Sequence, residues 1–143
     1  MLAPLVIDSS VYLSSFFENE PDHIISKQFI REIHESSKDI YLPALVPAEV
    51  FNVLMRSKKF KPHFLQEVVK QFVNQPNLKI IPIDEKLLTS LYQTPKNILL
   101  KTSDLIITFV ALVTHSTLVT WDKTMQKQAS KYVTVHTPKY FID

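Results

Sequence analysis

Four acidic side chains, far apart in the sequence, carry the chemistry that this chain could perform. Asp8 directly follows the apolar run Leu5–Ile7, Glu49 lies just past a second predicted strand, and Asp122 follows a later one. If these strands form a parallel sheet, their carboxyl ends share one edge, which is where ligands of open α/β sheets bind. Clustered carboxylates repel one another unless a metal ion, an arginine or shared protons compensates. Because all-oxygen ligation suits Mg²⁺ or Mn²⁺, the pattern favours metal-assisted chemistry.

The fourth carboxylate, Asp104, begins a strongly apolar segment, but the pattern alone does not place it beside the others. Each acid also has a structural explanation. Asp8, Asp104 and Asp122 are good helix N-caps, and Glu49 in a first helical turn would complement the helix dipole. Capping and catalysis therefore remain alternatives at this point.

The elements that would position these acids alternate between short apolar strands and helical patterns. Such alternation predicts an α/β domain with a parallel sheet covered by helices on both faces. The 143 residues predict a single domain over 1–143. We expect five strands, at 5–7, 40–42, 78–83, 117–120 and 133–135. We expect helices after Asp8, from Pro21-Asp22, around Pro47, from about Pro62, after Asp84-Glu85, over 103–113 and over 123–132, and a turn or helix over 138–142.

The composition excludes several classes of site. The chain has no cysteine, which removes disulfides, thiolate zinc sites and cysteine nucleophiles. It also has no glycine, which removes glycine-rich phosphate loops and the G-x-S-x-G nucleophile elbow. Helix ends must therefore do without glycine caps, and asparagine or lysine is expected there.

The histidines form no metal-ligand spacing such as H-E-x-x-H, and we expect all five to be surface or loop residues. They are His23, His34, His63, His115 and His136. No segment approaches the roughly 18 apolar residues of a membrane span, and no signal peptide is evident, so we expect a soluble, cytoplasmic protein. The net charge of +2 permits nucleic-acid binding without indicating it.

Four short motifs, taken together, resemble the acidic motifs of PIN domains, and in particular those of small VapC-type toxins. They are Leu5-Val6-Ile7-Asp8-Ser9-Ser10, Pro47-Ala48-Glu49-Val50, Thr102-Ser103-Asp104-Leu105-Ile106 and Leu118-Val119-Thr120-Trp121-Asp122. Each motif is weak alone, but the ordered set is fairly specific. The resemblance implies a three-layer PIN-like fold with a five-stranded parallel sheet. Two departures affect the loops: His115-Ser116 stands where related sequences often carry glycine, and Trp121 replaces a residue that is often polar or basic.

The resemblance implies a Mg²⁺- or Mn²⁺-dependent endoribonuclease. Asp8, Asp104 and Asp122 would hold the metal, and Glu49 would complete the acidic pocket. The implied hydroxyls that support these carboxylates belong to Ser9, Ser10 and Thr120. The basic residues Arg56, Lys58, Lys59 and Lys61 could grip RNA phosphates, although a solvated connector is an equal alternative.

The resemblance further implies the toxin of a type II toxin–antitoxin pair, with RNA as substrate, an antitoxin as partner and a homodimer as assembly. A non-catalytic PIN-like module that binds RNA or protein is the main alternative. A phosphotransfer domain is a weaker one, because Ser10 stands where a haloacid-type phosphatase would carry a second aspartate.

Overall fold

The computed structural model describes residues 2–142, which fold into a five-stranded sheet flanked by seven helices. The strands are β1 (Leu5–Ile7), β2 (Ile40–Pro43), β3 (Leu78–Ile81), β4 (Thr117–Val119) and β5 (Val135–His136). The α-helices are α1 (Ser9–Phe16), α2 (His23–Glu35), α3 (Leu45–Ser57), α4 (Pro62–Asn74), α5 (Glu85–Ser90), α6 (Thr102–Val113) and α7 (Lys123–Ala129). Short 3₁₀ turns occupy Leu91–Gln93 and Pro138–Phe141.

All the strands are parallel, in the order β3-β2-β1-β4-β5, which confirms the predicted fold class. The chain builds outwards from β1 to β3 and then returns across β1 to form β4 and β5. The strand order therefore reverses between β1 and β4, and the crevice outside their carboxyl ends is the favoured ligand position in this architecture. Asp8 stands at that point, where its backbone N–H donates to the Val119 carbonyl at 2.9 Å.

Helix α6 packs against β1, β2 and β4 in the middle of the domain. Its sequence could have formed either a strand or a helix, and the expectation of a helix is confirmed. Six consecutive residues, 106–111, are buried, as expected for a helix that is apolar on every side. Burial of the whole segment, rather than of one stripe, explains why its periodicity was ambiguous.

The structure corrects several predicted boundaries. Strand β3 ends at Ile81, before Pro82, which has no N–H to continue a ladder. Strand β5 covers Val135–His136 rather than 133–135, and α7 ends at Ala129 rather than at 132. Helix α3 begins at Leu45 rather than near Pro47, and α6 begins at Thr102, one residue earlier than expected.

The expectation that every histidine is a surface or loop residue is wrong for His34. This residue lies within α2 and is half-buried, with its Nε2 atom 3.2 Å from the Tyr12 hydroxyl on α1. Burial lowers the pKa of His34 to about 4. The imidazole is therefore a neutral packing group between two helices, and the missing metal spacing gave no hint of that role.

Polar side chains close the opposite end of the sheet, where β2 and β3 begin. The Asn77 side-chain amide Nδ2 donates to the carbonyls of Ile33, Ser36 and Lys38 at 3.0, 3.1 and 2.8 Å. Gln75 donates to Asn77 Oδ1 at 2.7 Å. We call this network the Asn77 tie. It joins the turn before β3 to the loop before β2.

Within residues 2–142, two residues adopt the left-handed backbone conformation in the absence of glycine. Lys58, at the C-cap of α3, has φ of 59°, which agrees with the expectation that lysine or asparagine would occupy such a position. His115, in the turn before β4, has φ of 52°. Within residues 2–142, no helix is both long enough and apolar enough to cross a membrane.

Candidate functional site

Asp8 occupies the N-cap position of α1, but its side chain does not cap the helix. Its Oδ2 atom accepts hydrogen bonds from Ser10 Oγ at 2.7 Å and from Thr120 Oγ1 at 2.8 Å. The side chain is only 5% exposed. The capping explanation therefore fails for Asp8, since the buried carboxylate is held by two hydroxyls from different elements.

The hydroxyls around Asp8 form a small network at the ends of β1 and β4. Ser10 Oγ accepts from the backbone N–H of Trp121 at 3.1 Å, and Thr120 Oγ1 accepts from the N–H of Asp122 at 3.0 Å. Thr120 is fully buried. Ser9 is placed differently, because its buried hydroxyl has no hydrogen-bond partner among residues 2–142.

Asp122 caps α7, as the structural explanation predicted. Its Oδ1 atom accepts from the Met125 N–H at 2.7 Å. One oxygen of this carboxylate is therefore committed to the helix end. Its charge nevertheless raises the pKa of Asp104, so the two carboxylates lie in the same electrostatic environment.

Glu49 lies in the second turn of α3, because the helix begins at Leu45, so the dipole explanation based on a first-turn position does not apply. Its Oε1 atom is buried and has no hydrogen-bond partner among residues 2–142. The pKa of Glu49 is raised, mainly by burial and then by the charges of Asp8 and Asp104. A carboxylate oxygen without a donor is costly to bury, which makes this atom a candidate ligand.

Asp104 lies in the first turn of α6 rather than at its N-cap, which is Lys101. Burial raises the pKa of Asp104 to about 6, and the charges of Asp8 and Asp122 act in the same direction. Lys101 lowers the pKa of both Asp104 and Glu49. The structure thus brings Asp104, which sequence pattern alone could not place, near the other acids.

The four carboxylates form what we call the acidic edge: Asp8, Glu49, Asp104 and Asp122. Their oxygen donors, their mutual repulsion and the unpartnered Glu49 oxygen fit a hard divalent cation. Among residues 2–142, however, no three acidic or histidine side chains already form a group that could hold a metal ion. The donor chemistry therefore fits Mg²⁺ or Mn²⁺, whereas the side chains do not yet make a closed set of ligands.

The basic residues proposed to grip RNA lie where α3 meets α4. Arg56 is in the last turn of α3, and Lys58, Lys59 and Lys61 follow it, all of them exposed. The Lys59 ammonium lies 5.7 Å from the centre of the Phe17 ring. Their exposure is compatible both with phosphate contacts and with a solvated connector.

The sequence reasoning missed two residues at the acidic edge. Lys101 acts electrostatically on two of the acids, and its position one helical turn before Asp104 was the available signal. Trp121, noted only as a departure, donates through its indole Nε1–H to Ser26 Oγ on α2 at 2.8 Å. No sequence pattern connects residues 95 positions apart, so this contact could not have been found before folding.

A family model for the PIN domain matches residues 5–131. VapC20 of Mycobacterium tuberculosis, described as a toxin that cleaves the sarcin-ricin loop, has a similar fold, with a TM-score of 0.68 at 10% identity, covering 90% of this chain and 96% of that one. FitAcB of Neisseria gonorrhoeae has a TM-score of 0.65 at 17% identity, and the match covers 95% of this chain and 99% of that one. VapBC2 of Rickettsia felis, bound to a promoter DNA fragment, has a TM-score of 0.62 at 18% identity, and the match covers 93% of this chain and 97% of that one. No curated protein sequence matches significantly.

Proposed function

Because the chain belongs to the PIN domain family, we propose that it is a Mg²⁺- or Mn²⁺-dependent endoribonuclease and the toxin of a type II toxin–antitoxin pair. PIN domains are generally nucleases, and VapC20, with a similar fold, is described as cleaving the sarcin-ricin loop. RNA as the substrate class and a divalent metal as the cofactor follow from this family membership together with the all-oxygen donor set.

The observation that carries the proposal is the state of Asp8. A buried aspartate at the helix N-cap position would ordinarily bond the helix N–H groups, yet Asp8 turns one oxygen to two hydroxyls. Both hydroxyls bond the same oxygen, Oδ2, so neither of them occupies Oδ1. A scaffold role does not account for this arrangement, whereas a carboxylate oriented to bind a cation does.

Each acidic side chain has a distinct task in this proposal. Asp8, Asp104 and Asp122 would hold the cation, and Glu49 would complete the pocket directly or through water. Ser10 and Thr120 orient Asp8, while the buried Ser9 hydroxyl donates no hydrogen bond to that carboxylate. When bound, the metal would activate a water molecule and neutralise charge on the scissile phosphate.

Electrostatics supports a role for the cation in stability as well as in chemistry. Glu49 and Asp104 have raised pKa values, so the ionised pocket is unfavourable without a counter-charge. A divalent cation would remove that penalty and would therefore stabilise the folded protein by linkage. Arg56, Lys58 and Lys59 would then bind RNA phosphates outside the pocket.

The test compares RNA cleavage by the wild type and by Asp8→Asn, with Mn²⁺ and with a chelator. Total bacterial RNA serves as substrate, and new 5′ ends are mapped by sequencing. We expect Mn²⁺-dependent cleavage by the wild type and a loss of at least about 100-fold in Asp8→Asn, since removal of groups that merely orient a metal ligand already costs about 10–100-fold.

Asp84→Asn is the matched control. Asp84 caps α5 by accepting from the Leu87 N–H at 2.9 Å, and asparagine is an equally good cap. This variant should cleave like the wild type. Equal cleavage by the wild type and Asp8→Asn would defeat the proposal.

An antitoxin partner, a homodimer and a cytoplasmic location belong to the same proposal. FitAcB and VapBC2 support the first of these, because their names describe two-component assemblies. Co-expression with the neighbouring small reading frame, followed by co-purification, would test the antitoxin, and the mass of the free chain in solution would test the dimer.

A non-catalytic PIN-like module that binds RNA or protein is the second candidate. It is favoured by one observation, namely that within residues 2–142 the acids do not form a finished metal group and Asp122 is committed to a helix cap. Metal binding without cleavage of any RNA in the experiment above would select this candidate.

A further inference from the structure

Ser26 and Trp121 bring two polar groups together at the buried face of α2, where apolar side chains are expected. The buried stripe of α2 consists of Ser26, Phe29 and Ile33, and Ser26 is fully buried. A buried serine is costly unless its hydroxyl is paired, and the same holds for an indole N–H. Each group supplies the partner of the other, at 2.8 Å.

Trp121 stands in the middle of the segment that supports the acidic edge. The residue before it, Thr120, donates to Asp8, and the residue after it is Asp122. The Trp121 backbone N–H donates to Ser10 Oγ, which in turn donates to Asp8 Oδ2. The indole end of the same residue reaches α2. Trp121 therefore joins a helix outside the site to the hydroxyls that hold Asp8.

We propose that Trp121 is a positioning residue, which ties α2 to the acidic edge through Ser26 and thereby holds Thr120 and Asp122 in register with Asp8. This inference rests on the proposed function for its metal-binding readout. It assigns a role to the one residue of the fourth motif that departs from the pattern of the family.

A double substitution separates positioning from simple stability. Ser26→Ala alone leaves the indole N–H unpaired, and so it should destabilise the protein. The double variant Ser26→Ala/Trp121→Phe removes both polar groups together, so that no buried donor is left unpaired, and it keeps an aromatic ring. The smaller ring gives up part of the packing of the half-buried indole, so we expect a modest fall in melting temperature, with the protein still folded.

Two measurements on the double variant test the link between Ser26 and Trp121. The first is amide hydrogen exchange at residues 121 and 122 without metal, which should become at least several-fold faster than in the wild type. The second is Mn²⁺ affinity, measured by the electron paramagnetic resonance signal of free Mn²⁺, which should weaken by about three- to tenfold, at the low end of the effects of outer-shell partners.

Ser14→Ala is the matched control, because Ser14 is a buried serine on α1 whose hydroxyl has no partner among residues 2–142. It should leave both measurements unchanged. Unchanged exchange in the double variant would overturn the proposal, and so would faster exchange with unchanged Mn²⁺ affinity. If the wild type binds no Mn²⁺ at all, the proposed function fails. The exchange rates alone then decide whether the link between Ser26 and Trp121 positions residues 121 and 122.

Discussion

The two ends of the sheet treat their polar groups in opposite ways. At the end where the strands begin, the Asn77 tie pairs one side-chain amide with three backbone carbonyls, and Gln75 fills the remaining acceptor. At the end where the strands finish, four carboxylates gather, and the buried Glu49 oxygen has no donor among residues 2–142. A satisfied network is expected of scaffold, whereas a buried carboxylate oxygen that lacks a donor and lies near other acids supports the proposed ligand site.

The acidic edge also differs from the rest of the domain in how its charges are paired. The ion pair within 4 Å that occurs among residues 2–142 joins Lys70 to Glu67 on the exposed surface of α4. The carboxylates of the acidic edge have no such partner in that part of the chain. Their repulsion is a free-energy cost that a scaffold alone would not need to carry, so the difference between the two ends supports the acidic edge as the proposed ligand site.

The largest effect on stability is expected at the satisfied end. Asn77→Ala removes the donor of three carbonyls and should lower the free energy of unfolding by about 2–4 kcal/mol. Urea denaturation measures this loss. Asn74→Ala, at an exposed position one turn earlier, is the control and should change little. The increase in melting temperature caused by Mn²⁺ should persist in Asn77→Ala, and its disappearance would break the proposed division between scaffold and site.

At the acidic edge, a substitution is expected to raise the free energy of unfolding rather than lower it. Asp104→Asn removes a repelling charge and should raise the metal-free stability at pH 7 by on the order of 1 kcal/mol, after allowance for solvent screening of a half-exposed group. It should also abolish most of the stabilisation by Mn²⁺. A lower metal-free melting temperature would instead indicate a structural role for this carboxylate.

The same substitution predicts a pH dependence. Because the folded-state pKa of Asp104 is raised to about 6 from 3.8, the folded protein retains this proton more tightly than the unfolded chain does. The wild type should therefore lose stability relative to Asp104→Asn as the pH rises from about 4 to 6. This pH-dependent difference in stability between the wild type and Asp104→Asn should vanish below about pH 4. His34 titrates alike in both proteins, so its opposite contribution cancels in the comparison. Glu49, whose pKa Asp104 helps to raise, adds to the difference in the same direction.

The smallest effect concerns Lys101, whose charge partly compensates the acids. Lys101→Met should move the pKa of Asp104 above about 6, because a favourable charge interaction is lost. A ¹³C titration of the labelled carboxylates measures this change. Lys96→Met, an exposed lysine in the preceding loop, is the control. An unchanged Asp104 titration in Lys101→Met would show that the two groups do not interact.

The sequence predicted the fold because its signals were local. Asp8, Asp104 and Asp122 follow or open apolar runs whose lengths and punctuation indicate strands and helices. The positions of the supporting contacts could not be predicted in the same way. The contact of Ser26 with Trp121 and the three bonds of Asn77 depend on how distant elements pack, and packing distances leave no period in the sequence.

The site was only partly predictable for a related reason. The residue types identified Asp8 as a candidate, but taken alone they favoured capping, and only the direction of its side chain distinguishes the two. For Asp122 the structure supports capping, while its charge still acts on Asp104. The role of His34 was missed because neutral burial of an imidazole depends on a partner, Tyr12, that lies 22 positions away.

Trp121 has one more consequence, because it is the single tryptophan of the chain. All indole fluorescence of this protein originates one peptide bond away from Asp122, at the edge where a cation and a nucleic acid would arrive. The protein thus carries its own optical reporter, and binding could be followed through the emission of unlabelled material without attaching a dye.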